Sequence, residues 1–185
     1  MGEPGTRDVL NLADLQAVEA IHTGRKHIFS LVVENKPGVL ARIAGLFARR
    51  GFNIQTLAAG PTEDPTLSRL TITFDGALHQ SEHVRKQLEK LVNVIKTRDL
   101  EPDETIAREL ALFKVSADGD TRVQIMQFTD IFRGKVIDVT KRSITVEITG
   151  TDDKVEAFER MVRPFGLIEM MRTGEIAVKR GRATT

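Results

Sequence analysis

The chain contains no cysteine, tryptophan or tyrosine. Without cysteine there is no disulfide framework, no thiol nucleophile and no thiolate metal site. Without Trp and Tyr, and with nine Phe as its whole aromatic content, it has little material for base-stacking platforms, and Phe fits core filling better. Charge of one sign is also scarce. The formal net charge is +1, so no long-range field selects nucleic acid or an anionic membrane as a partner. No apolar run reaches the length of a membrane span, and the first residues lack the basic-then-apolar order of a signal peptide. A cytoplasmic protein is expected, with an organelle address in a longer precursor left open.

What is present suits a packed protein. Apolar residues make up 41% of 185 residues and charged residues 29%, enough for one large core or two small ones. Residues 1–25 form a separate extension, in which Val9, Leu10, Leu12, Leu15, Val18 and Ile21 fall near helical spacing. His27–Glu34 is a strand with apolar residues on both faces, which therefore needs cover on both. The turn Asn35-Lys36-Pro37-Gly38 opens a helix, with Pro37 suited to its first turn. Val39, Leu40, Ile43, Leu46 and Phe47 make its buried stripe, and Gly51 stops it in a left-handed conformation. A strand from Phe52 to Gly60 follows.

After the turn PTEDPT (61–66), Leu70, Ile72 and Phe74 alternate with Thr71 and Thr73, the pattern of a half-buried strand. A helix from Ser81 to Leu91, capped by Ser81, and a strand from Asn93 to Leu100 complete the order βαββαβ. Glu101–Glu104 reads as a linker, and the order then repeats. The expected elements are a strand at Leu110–Ala117, a helix at Thr121–Phe132, a hairpin of Gly134–Val139 with Ser143–Thr149, a helix at Asp152–Val162, and closing strands at Leu167–Met171 and Ile176–Lys179, interrupted near Gly174. The fold class is α+β, two ferredoxin-like βαββαβ sandwiches spanning 26–101 and 102–180, with a tail at 181–185. Helices on one face leave the other sheet face bare, so pairing with a second copy, edge to edge or sheet to sheet, is expected.

Several residue groups invite chemistry and mostly decline it. His79 and His83 have metal-ligand spacing, but no third ligand is evident and His79 is expected ahead of the helix, so a surface pair is favoured. Asp118-Gly119-Asp120 starts like a carboxylate loop that does not continue, and reads as a turn. Asp152-Asp153 suits a helix N-terminus, and Arg49 and Arg50 a helix C-terminus. No Ser-His-Asp set, paired-carboxylate arrangement or glycine-rich phosphate loop stands out.

The segment ENKPGVL (34–40) followed by ARRGFNI (48–54) resembles an ACT domain, a βαββαβ module that binds small amino acids where two copies meet. By spacing alone the corner is more readily a tight strand–helix connection. Its chemistry nevertheless suits a ligand: Gly38 permits close approach, a helix N-terminus attracts a carboxylate, and Asn35 can donate and accept. PTEDPTLSRLTI (61–72), EKLVNVIK (89–96), RELALFKV (108–115), IFRGKVIDVT (131–140), VEITG (146–150), KVEAFE (154–159) and RTG (172–174) further resemble the small, regulatory subunit family of acetolactate synthase, from about Lys26 to Arg180.

That resemblance implies a chain that is not an enzyme by itself. It would activate a separate catalytic subunit and confer feedback inhibition by valine or a related branched-chain amino acid. It implies a homodimer through the ACT domains and effector positions at Asn35, Gly38, Val39, Leu40, Asn53 and Ile54, with Asn53 reaching across the dimer. Thiamine diphosphate, Mg and FAD would belong to the catalytic partner, with no cofactor or metal in this chain. The alternatives are a free-standing amino-acid sensor acting on another pathway or on transcription, disfavoured by the lack of a helix-turn-helix and of basic charge, and a small hydrolase, which fold alone leaves open.

Overall fold

The computed structural model describes residues 25–182. The helical spacing at Val9–Ile21 and the last three residues lie outside that range. The first unit runs β1 (Arg25–Glu34), α1 (Val39–Arg49), β2 (Ile54–Pro61), β3 (Leu67–Gly76), α2 (Leu78–Leu88) and β4 (Val94–Asp99). Its antiparallel sheet has the order β2-β3-β1-β4. The second unit runs β5 (Thr105–Ser116), α3 (Gly119–Ile131), β6 (Lys135–Val139), β7 (Ser143–Gly150), α4 (Asp152–Val162), β8 (Leu167–Arg172) and β9 (Ile176–Lys179). Its sheet has the order β6-β7-β5-β8, with β9 pairing β5 as well. The first unit is a βαββαβ sandwich, as the strand–helix order predicts, and the second repeats it with β9 as an added strand. Among the described residues no helix is long and apolar enough to cross a membrane.

Alternation builds both cores. Phe29, Leu31 and Val33 of β1 and Leu70, Ile72 and Phe74 of β3 share the face covered by α1 and α2, where Ile43, Phe47, Val84 and Leu88 meet them. Phe74 is the hub: the rings of Phe29, Phe47 and Phe52 approach it edge-on at 5.1–5.8 Å, and His27 stacks on it at 5.4 Å. In the second core Phe113, Val146 and Ile148 face Ile125, Val155, Phe158 and Val162. Full burial of each large side chain contributes roughly 1.5–3 kcal/mol.

Local chemistry sets the helix ends. After α1, Gly51 has φ +72; its N–H donates to the Ala48 carbonyl at 3.1 Å and that of Phe52 to the Phe47 carbonyl at 3.0 Å. This pair of bonds is the expected glycine stop. The expected start of α2 is corrected. The helix begins at Leu78, so His79 lies inside it, and Ser81 is buried in its first turns rather than capping it. The Ala77 N–H is met instead by Gln80 Oε1 at 2.8 Å. At α3, Asp118 accepts from Thr121 Oγ1 at 2.5 Å, so the acidic triplet holds a helix start. The expected linker shrinks to one turn, Pro102–Glu104, before β5 begins.

β5 is longer than the sequence suggests because it serves two partners. Glu109–Ser116 pairs with β7, and its later residues also pair with β8. Thr105–Arg108 pairs with β9 after a break at Thr173–Glu175. The β5–β9 ribbon lies on the first sheet's face opposite the helices, where Ile28, Leu100 and Ala177 form a small third cluster with Ala107 against it. This overturns the half-buried reading of β3: Thr71 is 3% exposed and Thr73 0%. Part of the face assigned to a second copy is thus covered within the chain.

Candidate functional site

The corner between β1 and α1 is built by backbone necessity. Gly38 has φ +83 and ψ −7 and occupies the N-cap of α1, so Pro37 stands in the turn ahead of the helix rather than in its first turn. Left-handed φ favours glycine, whereas a β-carbon added here would meet nothing within 4 Å. The space in front of Gly38 is open. Among the described residues no side chain caps α1, its first turn carries no acid, and the Val39 N–H has one close acceptor, the Lys36 carbonyl at 3.4 Å. Such a terminus carries partial positive charge and N–H groups available to a carboxylate.

Two neighbouring segments hold the corner. The Asn35 N–H donates to the Thr66 carbonyl at 2.8 Å, and Asn35 Nδ2 donates to the Pro65 carbonyl at 3.1 Å. Asp64 Oδ1 in turn accepts from the Thr66 N–H at 2.8 Å and Thr66 Oγ1 at 2.7 Å, bonds that hold its carboxyl below the usual range. On the other side Asn93 donates to Glu34 Oε2 at 2.5 Å and accepts from Arg42 at 2.7 Å. Asn93, and then Lys36, lower the Glu34 carboxyl. Sequence reasoning missed Asp64, Thr66 and Asn93 as braces of the corner. The acids and Thr in the PTEDPT turn were the available signal.

The six candidate residues divide into two places. Asn35, Gly38, Val39 and Leu40 come together at the corner. Val39 points into the core at 5% exposure and offers only its backbone, while Leu40 is 47% exposed. The Asn35 amide nitrogen spends one of its two N–H donors on the loop. Asn53 is exposed just ahead of β2, and Ile54 packs at the edge of the core. Glu34 pairs with Leu67, whereas Ile54 pairs with Phe74. The two places are therefore about 23 Å apart, the length of β3 between Leu67 and Phe74 at about 3.3 Å per residue. One chain does not bring them together.

The seam between the units is ionic. Lys26 Nζ lies 2.5 Å from Asp152 Oδ2 and 2.8 Å from Glu175 Oε2, and Arg172 pairs with both Asp152 and Glu109. Burial opposes the charge on Asp152, but Lys26 and then Arg172 outweigh it and hold the carboxyl below the usual range. Gly174, at φ +76, lies against Thr56 of β2. Among the described residues no three His, Asp or Glu side chains converge as ligands of a metal would.

The comparisons agree with this architecture. A family model described as the AHAS small subunit-like ACT domain matches residues 29–96, and one described as the small subunit of acetolactate synthase matches 108–181. The acetolactate synthase small subunit of Mycolicibacterium smegmatis is 50% identical over 155 residues, covering 84% of this chain and 91% of the relative. That of Mycobacterium leprae is 49% identical over 155 residues, covering 84% and 92%. The crystal structure of the Thermotoga maritima acetolactate synthase small subunit superposes with a TM-score of 0.79 at 43% identity, covering 86% of this chain and 99% of that one. With this identity running through both sandwiches, the chain belongs to the acetolactate synthase small-subunit family.

Proposed function

We propose that this chain is the regulatory subunit of an acetolactate synthase. It activates a separate catalytic subunit and transmits feedback inhibition by valine or a related branched-chain amino acid. The observation that carries the effector site is the open corner at Gly38, where an uncapped helix N-terminus faces space that no side chain among the described residues fills. A free carboxylate suits it. Thiamine diphosphate, Mg and FAD belong, in this reading, to the catalytic partner.

The separation of Asn53 from the corner supports a homodimer. β2 is an edge strand of the first sheet. Two β2 edges joined antiparallel would set the Asn53 end of one copy beside the Gly38 end of the other. An effector held there touches both copies and favours one arrangement over another. Inhibition then requires different affinity for the two arrangements. A ~5–150-fold difference supplies about 1–3 kcal/mol of coupling.

The test mixes the purified chain with a cognate catalytic subunit and measures rate against each branched-chain amino acid. Addition of the chain should raise the rate and valine should lower it. Gly38→Asp, which places a carboxylate in the corner, should abolish inhibition and leave activation. Full valine sensitivity in that variant rejects the site, and an unchanged catalytic rate on mixing rejects the partnership.

A further inference from the structure

The β5–β9 ribbon covers the first sheet's open face only in part. Beyond its edge lies the cross-strand row Arg69, Val32, Lys96, with Arg98 beside it opposite Ser30. Three cations thus share one sheet face around a valine. Burial and then the charges of Arg98 and Arg69 hold the Lys96 ammonium below its usual range, as expected for cations set close together. The Nε atoms of Arg69 and Arg98 are buried and without a hydrogen-bond partner. An unmet buried donor is costly, and an anion would satisfy it.

Where the ribbon steps down to this row there is a crevice of about 310 Å³. Ala58 and Gly60 of β2 form one wall, and Ile106, Ile176 and Val178 of the ribbon form the other. Among the described residues Arg69 and Arg108 are its charged lining residues, and no Asp or Glu lines it. An apolar crevice lined by two arginines selects an anionic head on an aliphatic body. The planar fork of arginine matches a carboxylate. An ammonium group would stand among cations with no acid to pair it, so a free amino acid is a poor fit.

We propose that this crevice is a ligand site separate from the Gly38 corner, taking a short branched aliphatic carboxylate that lacks an amine. Its carboxylate meets Arg69 and its tail lies against Ile176 and Val178. The two walls come from different units, so an occupant stabilises the closed seam by mass action.

The experiment uses the full chain and three probes, 4-methylpentanoate, valine and inorganic phosphate, with titration calorimetry and thermal melting. The expected result is saturable binding of 4-methylpentanoate at millimolar concentration or below, with a raised melting temperature. Arg69→Gln and Ile176→Glu should each weaken it at least about tenfold. Ile176 is 63% exposed, so its variant keeps the fold. Gly38→Asp should leave this binding unchanged, which separates the site from the effector corner whatever that corner does. Absence of saturable binding overturns the proposal. So does unchanged affinity in both variants, equal binding of phosphate, or displacement of 4-methylpentanoate by valine.

Discussion

Gly174 of the second sandwich rests on Thr56 of the first so closely that a β-carbon on Gly174 would stand 2.8 Å from Thr56 Cβ. Its φ of +76 adds backbone strain for any other residue. Gly174→Ala is therefore expected to cost about 2–4 kcal/mol, from left-handed strain plus overpacking. Denaturant unfolding of the variant measures it. A loss under about 1 kcal/mol would mean that the seam yields without resistance.

Gly38 gives the contrasting case. It has the same handedness of backbone but nothing within 4 Å of the added carbon. Gly38→Ala should cost only about 1–2 kcal/mol. Asn or Asp, which tolerate left-handed φ better, should cost less. Comparing the three variants by urea titration separates backbone strain from crowding, and a Gly38 series as damaging as Gly174→Ala would contradict the open corner.

The Lys26–Asp152–Arg172 cluster predicts an acid limb. The Asp152 carboxyl is lowered in the folded chain, so its contribution is present above the unfolded value of about 3.9 and fades as pH falls through the lower folded value. Asp152→Asn should be less stable than the parent at pH 7, and the gap should begin to close at about pH 4 and vanish only below the lowered folded value. Melting temperatures across that range check it. A gap that persists unchanged at low pH would point to lost packing instead of lost charge.

Phe74 is fully buried and touches four rings. Phe74→Ala should cost about 3–5 kcal/mol, a large share of the stability of a domain this size. Near-ultraviolet dichroism and hydrogen exchange would show the first sandwich loosened, with protection retained around Phe113 and Phe158 in the second core. Equal loss in both cores would show that neither sandwich holds alone.

Much of this was legible along the chain. Leu70, Ile72 and Phe74 alternate as a sheet face requires, Gly51 stops its helix, and Asp152–Val162 shows its buried stripe. What stayed hidden depends on residues distant in sequence. Thr71 and Thr73 look like a wet face because nothing near them reveals that Ala177, from the other sandwich, will lie over Thr71. Ser81 has the chemistry of a cap, but the chain turns three residues earlier and buries it. Asn93 carries no periodic signal, yet it braces the candidate corner through Glu34 and Arg42. The seam ions Lys26, Glu109, Asp152 and Arg172 meet only once both sandwiches exist.

The long strand β5 has a consequence for biosynthesis. Its first four residues find their ladder partner only in Ile176–Lys179, the last strand of the described chain. A ribosome emitting this polypeptide therefore releases the front sandwich with one flank unroofed, Ile28 and Leu100 still in water, until Ile176–Lys179 has been translated some seventy residues later. Long-range pairing of this kind is slow and leaves sticky surface in transit. Truncations that end before Ile176 should accordingly clump in cells even though all six strands and helices of the front sandwich have already been made.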